Sequence, residues 1–408
     1  MHILFLTDNF PPEGNAPATR TYEHAKRWVE TGHKVTVITC APNFPEGVVY
    51  QGYKNHWYHR SAIEGIDVIR VKTFITANEG TMKRILDYVS FMASSFVAGL
   101  FQSKIDVVVA TSPQFFTACS GWALAACRRK PYVFELRDIW PASITAVGAM
   151  QNSRLISVLE KLELFLYSRA DSIISVTYAF KDELIQRGVS GEKIDVVRNG
   201  VDLTKYSPAN EKDSEFARKY GLKNKFVVGY IGTHGMAQGL DSIVSVAEAL
   251  KHETNIQFVF AGGGSERKMV ESLVAEKGLD NVTLIERQPK EAMPRIWSLC
   301  DVALIPLINK ELFKTVIPSK IFECMAMGIP MIASLPEGEA TKIIRETKSG
   351  IISRCCDVSS IRMSILELLN DKDKYNEIKM SGIKGAHEFS RVNQADLMIE
   401  YIEKIAFD

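Results

Sequence analysis

The chain has 408 residues, 46% hydrophobic and 24% charged, with a formal net charge of +1. That length exceeds one ordinary core and implies two or three domains, and the composition is that of a globular protein. Near-neutrality excludes recruitment of nucleic acid by overall charge, so anion binding has to come from local patches. Seven cysteines, at 40, 119, 127, 300, 324, 355 and 356, form no Cys-x-x-Cys pair. This argues against a disulfide framework or structural zinc and for reduced thiols serving as small core residues. The apolar start at residues 3–6 is too short for a signal peptide, and no run of about 18 apolar residues follows. A cytoplasmic location is the expectation.

Short apolar runs alternate with helical patterns. In the first half, strands are predicted at residues 3–7, 35–39, 68–72, 107–111, 132–136, 173–176 and 195–197, with helices at 19–30 and 154–167 among them. Several runs are nearly all Val and Ile, as in parallel strands covered on both faces. The pattern restarts at 226–231 and continues at 258–261, 282–285, 302–305 and 331–333. Leu240, Ile243, Val244, Ala247 and Leu250 form a helical stripe after the first of these. The reading is an α/β chain of two Rossmann-like, doubly wound domains with parallel sheets, facing across a cleft. The break falls near Asn199-Gly200-Val201-Asp202, giving domains 1–200 and 201–385 and a C-terminal helix, 386–408, that returns to the first domain.

Three segments suit phosphate chemistry. The first strand runs into a loop containing Gly14, which lets backbone approach a ligand ahead of a helix N-terminus. The second half opens with Gly232-Thr233-His234-Gly235, whose amides can cradle phosphate and whose Thr233 and His234 side chains can add hydrogen bonds. With the second belongs Gly262-Gly263-Gly264, which ends the next strand toward the same cleft. The third segment is Pro318-Ser319-Lys320-Ile321-Phe322-Glu323, with Pro318 in the first helical turn and Gly328 as the stop. Ser319, Lys320 and Glu323 share one helix face. The first two sit at the positive helix end, suited to a diphosphate, and Glu323 is placed to accept from a ribose diol.

These motifs together resemble the retaining, GT-B-fold glycosyltransferases of group 4. Within that family, Glu-Leu-Arg-Asp-Ile-Trp-Pro (135–141), Gly-Thr-His-Gly-Met-Ala-Gln-Gly and Pro-Ser-Lys resemble the N-acetyl-L-fucosamine transferases of bacterial O-antigen and capsule assembly. The resemblance implies transfer from a UDP-sugar to a polyprenyl-diphosphate-linked acceptor, with retention, no metal and no cofactor besides the donor. The chain departs from the family pattern at three places. Thr315 stands where the first of the family's paired glutamates would be, Thr233 and Gln238 near its basic loop residues, and Arg137 near its common histidine. Lys320, with Lys314, is expected to supply the missing charge.

Arg137 and Asp138, at a strand end, are the candidates for orienting the acceptor or reacting sugar. The one Asp-x-Asp string, Asp371-Lys372-Asp373, lies in a late helical stretch and is not expected to bind metal. Residues 82–104, weakly polar and flanked by Lys83, Arg84 and Lys104, are read as a surface for the cytoplasmic face of the inner membrane. Two other functions fit the same fold: a UDP-sugar 2-epimerase, and a nucleotide-sugar-binding partner of a polysaccharide assembly complex.

Overall fold

The computed structural model describes residues 1–44, 46–76, 81–112, 114–139 and 153–407. Its internal contacts divide it into Met1–Asn199 with Arg391–Asp408, and Gly200–Ser390.

The first unit is built on eight strands: β1 (His2–Leu6), β2 (Lys34–Cys40), β3 (Tyr58–Ile63), β4 (Ile66–Val71), β5 (Val107–Thr111), β6 (Tyr132–Leu136), β7 (Ser172–Ser175) and β8 (Ile194–Val196). Their order is β3-β4-β2-β1-β5-β6-β7-β8, so the winding reverses between β1 and β5. Helices α1 (Ala16–Glu30), α2 (Thr81–Leu100), α3 (Phe115–Arg128), α4 (Ser153–Arg169) and α5 (Tyr178–Gln186) connect them. Every residue of β1, β5 and β6 is buried, which is why these runs carry no polar alternation. The C-terminal helix, Arg391–Phe407, packs on α1. Trp28 donates its indole N–H to the Ala395 carbonyl at 2.9 Å, and Arg27 grips Asp396 with two nitrogens at 2.7 and 2.9 Å.

The expectation of a wholly parallel sheet is corrected at one edge. β3 runs antiparallel to β4, turned by Glu64 and Gly65, both at positive φ (47° and 82°). A tight hairpin with these dihedrals matches the right-handed strand twist. β3 is mostly exposed and reads Tyr-His-Arg-Ser-Ala-Ile, with no buried face to give an apolar signal.

The second unit carries β9 (Phe226–Ile231), β10 (Ile256–Ala261), β11 (Val282–Ile285), β12 (Val302–Pro306), β13 (Met331–Ser334) and β14 (Gly350–Ser353) in the order β11-β10-β9-β12-β13-β14. All pairs are parallel. Helices α6 (Ser214–Lys219), α7 (Leu240–Ala249), α8 (Arg267–Glu276), α9 (Met293–Trp297), α10 (Lys320–Met327), α11 (Glu339–Thr347), α12 (Val358–Asn370) and α13 (Lys372–Ala386) complete it. The order reverses between β9 and β12, and ligands of open α/β sheets bind beyond the strand C-termini at such a reversal.

One expectation, that the cysteines serve as core residues, changes in detail. Only Cys40, Cys300 and Cys324 are buried; Cys127 and Cys356 are exposed. Asp371 of the Asp-x-Asp string caps α13, its Oδ1 accepting the Lys374 amide at 2.9 Å.

Helix α2 carries most of the stretch 82–104. Its inner face meets α3, with Ser95 Oγ 2.9 Å from Ser120 Oγ and Gly99 against Leu124. Phe91 is core, at 1% exposure, whereas Leu86 and Val97 on α2 and Phe101 just beyond it face outward. Among the described residues, no helix is long and apolar enough to cross a membrane.

Candidate functional site

In the second unit, the loops after β9 and β10 lie backbone against backbone. Gly232 N donates to Ala261 O at 2.9 Å, His234 N to Gly263 O at 2.9 Å, and Glu266 N to His234 O at 2.8 Å. Glycine is what permits this approach. Gly262 has φ +141°, and a Cβ there would stand 1.9 Å from the Gly232 carbonyl oxygen; at Gly264, with φ +149°, it would stand 2.4 Å from the His234 oxygen. Gly263 differs, since a Cβ there meets only Arg287 Cβ at 3.9 Å. Over these loops opens a cavity of about 450 Å³, lined by Gly232, Thr233, Glu286, Arg287, Met293 and Ile296, among others.

The amides are unevenly used. Gly232 and Gly235 spend theirs inside the protein, the latter on Gln238 Oε1 at 3.0 Å. Among the described residues, the N–H groups of Thr233 and Gly263 have no acceptor. The expected side-chain bond from His234 is corrected: its ring is fully buried against Tyr230 and Phe260, with centroids at 5.7 and 6.4 Å. Burial, with Arg267 and Lys320 nearby, lowers its pKa to about 4, so the imidazole is neutral.

Helix α10 brings up the other half. It starts at Lys320 with Ser319 as N-cap, two residues later than Pro318 in the first turn would require, and it ends at Gly328 in the left-handed conformation. The amides of Ser319 and Lys320 are likewise without acceptors among the described residues. Lys320 Nζ lies 4.0 Å from the centre of the Tyr230 ring, and a Cβ on Gly232 would be 3.0 Å from it. No anion pairs with this ammonium among the described residues. Burial lowers its pKa to about 8, against the opposing pull of Cys324 and Glu323. Lys314 is not comparable, because it is paired with Glu311 at 2.7 Å.

Glu323, one helical turn on, is half-buried. Trp297 donates its indole N–H to Oε2 at 2.8 Å, and among the described residues Oε1 has no hydrogen-bond partner. Burial raises the carboxyl pKa, opposed by the Trp297 bond and by Lys320 and Lys290. Thr315 bonds Leu312 O at 3.0 Å through its hydroxyl. The helix face was legible as Lys320 and Glu323. Tyr230 and Trp297 were not, because each belongs to an apolar run that gives no hint of which neighbour it meets.

A larger hollow, about 900 Å³, lies at the opposite end of the strands, lined by Lys212, Lys225 and Asp301 among others. Two of the polar groups there are already paired, Lys212 Nζ standing 2.6 Å from Asp301 Oδ2, so size alone does not mark the site.

In the first unit, Gly14 is exposed, and a Cβ there would meet nothing within 4 Å. Nothing in the fold itself demands glycine at that position. Arg137 and Asp138 follow β6, their amides donating to Ser112 Oγ at 2.7 and 3.2 Å. Arg137 Nη1 is buried without a partner among the described residues, and burial brings its pKa down to about 10. Beside it, Glu135 is paired with Arg20 at 2.8 Å. Burial alone would raise the Glu135 carboxyl, but Arg20 and Arg137 together hold it low. Trp140 and Pro141, the end of the 135–141 motif, lie outside the described residues.

Comparison with known proteins bears on both units. Residues 17–205 match the model of Glycosyltransferase Family 4, and residues 212–385 that of Glycosyl transferases group 1. WcaI of Escherichia coli, named for glycosyl transfer in colanic acid biosynthesis, is 25% identical over 335 residues, 80% of this chain and 82% of that protein. Sucrose-phosphate synthase of Thermosynechococcus elongatus superimposes with a TM-score of 0.76 at 15% identity, covering 99% of this chain and 98% of that one. HepE of Anabaena, solved with UDP and glucose, gives 0.72 at 18%, covering 99% and 100%. The fold is therefore GT-B, with two α/β units.

Proposed function

We propose, from the premise that the chain belongs to the group 1 and family 4 glycosyltransferases, that it moves a sugar from a UDP-sugar to a lipid-linked saccharide in cell-surface polysaccharide synthesis. The carrying observation is the unpaired Lys320 ammonium held against Gly232 at a helix N-terminus, one turn from Glu323. In this reading the diphosphate takes the amides of Thr233, Gly263, Ser319 and Lys320 and the Lys320 charge. Glu323 Oε1 accepts from the ribose diol, and the base occupies the cavity beside Met293 and Ile296.

The bond from the anomeric carbon to the diphosphate oxygen breaks, and a bond to the acceptor hydroxyl oxygen forms on the same face. The hydroxyl proton passes to the leaving diphosphate. Amides and a cation placed where leaving-group charge develops serve this without a metal. Arg137 and Asp138 orient the acceptor or the reacting sugar. The colanic acid role in the name of WcaI supports a polysaccharide context, and the sequence motifs support N-acetyl-L-fucosamine as the sugar. A panel of UDP-sugars with an undecaprenyl-diphosphate-linked acceptor, read by mass spectrometry, tests this. No product with any donor, or altered donor sugar without acceptor as an epimerase would give, would count against it.

The charge on Lys320 gives a pH signature. With its pKa at about 8, the free protein loses the ammonium as pH rises through 8. UDP affinity then falls by up to about tenfold per pH unit. Lys320→Arg stays charged and flattens this dependence. Calorimetry from pH 6.5 to 9.5 measures it; equal slopes in both proteins would remove the role of Lys320.

The stretch 82–104 is proposed to lie on an anionic membrane surface through Leu86, Val97 and Phe101, flanked by Lys83 and Lys104. Val97→Asp with Phe101→Asp should abolish flotation with anionic liposomes, and unchanged flotation would refute the contact.

A further inference from the structure

At the C-terminal ends of β1, β2 and β4 in the first unit lies a hollow of about 220 Å³, lined by Asp8, Glu13, Asn43, Asp87, Tyr88 and Phe91, among others. Glu13 is 4% exposed. Its Oε1 accepts the amides of Asn43 and Phe44 at 2.8 and 2.9 Å, whereas Oε2 is buried and has no partner among the described residues. A buried carboxylate oxygen with no donor is costly, and one lining a cavity is explained by a ligand that brings the donor. The neighbouring amides are already engaged: Asn15 caps α1 at the Ala18 amide and donates to Asn9, and Asn43 donates to Ala41 O.

Among the described lining residues there are three carboxylates, from Asp8, Glu13 and Asp87, and no Lys, Arg or His. A phosphate or a sugar acid would add like charge to that set. A hydroxyl donates to a carboxylate with no such penalty, and the half-buried Tyr88 ring lines the same hollow with apolar surface suited to a pyranose face.

We infer that this hollow binds a non-acidic, hydroxyl-rich sugar, with Glu13 Oε2 receiving one of its hydroxyls. The inference rests on the glycosyltransferase reading, in which this sugar is the acceptor. It names the acceptor's chemical class: a neutral sugar, with uronic and other acidic sugars rejected.

Saturation-transfer NMR on the full chain tests it, with methyl N-acetyl-β-glucosaminide and methyl β-glucuronide as probes. The neutral glycoside should saturate at least about fivefold more strongly than the glucuronide, since the carboxylate of the glucuronide adds like charge beside Asp8, Glu13 and Asp87. Glu13→Gln keeps an acceptor for the Asn43 and Phe44 amides but replaces Oε2 with a donor, and it should remove most of that signal. Asp87→Asn should lessen the discrimination against the glucuronide. Equal signals from both probes, no signal from the neutral one, or an unchanged signal in Glu13→Gln would each overturn the inference. UDP calorimetry run in parallel separates the two readings. Wild-type protein that fails to bind UDP sinks the transferase reading, whereas UDP binding retained in Glu13→Gln beside an unaltered sugar signal sinks only the pocket.

Discussion

Gly262→Ala is expected to lose UDP binding and to melt well below the wild type, while Gly263→Ala keeps the wild-type melting temperature. The two glycines are adjacent, yet their surroundings differ. At 262 the backbone sits at φ +141°, and a methyl group would stand 1.9 Å from the Gly232 oxygen and 2.9 Å from the Gly232 carbonyl carbon. Neither atom belongs to a side chain that can swing away, so one loop must leave the other. Left-handed backbone at a non-glycine residue costs about 1–3 kcal/mol, and displacing packed backbone adds to this. For a unit of this size, about 3 kcal/mol lowers the melting temperature by roughly 6–12 °C. The amides of Thr233 and Gly263 would move with the loops, and UDP affinity should fall at least about tenfold. At 263 a methyl group meets only Arg287 Cβ at 3.9 Å. Scanning calorimetry and UDP titration on the two variants check this pair, and a Gly262→Ala protein with wild-type melting and wild-type UDP affinity would refute it.

Glu323→Ala should weaken UDP by about tenfold or more, since a hydrogen bond to a charged group contributes roughly 1.5–3 kcal/mol. The structure supplies the control. Trp297 needs an acceptor, which Glu323 Oε2 provides at 2.8 Å. Glu323→Gln retains an amide oxygen for the indole while removing the charge, so its melting temperature should stay near wild type and its UDP affinity should fall between those of the other two proteins. If both variants bind UDP as the wild type does, the carboxylate does not hold the ribose. If only the alanine variant is weakened, and it also melts lower, Glu323 acts by supporting Trp297 rather than by touching nucleotide.

The strands covered on both faces were the plainest to predict, although the partly buried β8 and β11 were legible too. β1, β5 and β6 are wholly buried, and their largely apolar runs, Val-rich in β5, follow directly from that. β3 was not predicted because it is mostly exposed and polar, and β14 because it is only Gly350–Ser353, opened by glycine and mostly half-buried. Their strand character comes from the neighbour they pair with, not from their own side chains. The α10 face was legible because Lys320 and Glu323 lie three residues apart, and helical geometry alone puts such residues on one side.

Sequence by itself determined the repeated βα pattern, the glycine loops and the Lys320–Glu323 face, because each depends on residues within a few positions of one another. Tertiary structure alone decided that the His234 ring turns inward, that Tyr230 lies under the Lys320 ammonium, that Trp297 takes one oxygen of Glu323, and that one oxygen of Glu13 stays bare among the described residues. Most of these pairings join segments tens of residues apart through burial, which sequence spacing does not encode. The inward turn of His234 likewise follows from the packing of Phe260 beside it, and the bare oxygen of Glu13 from the arrival of the residue 43–44 amides on its partner oxygen.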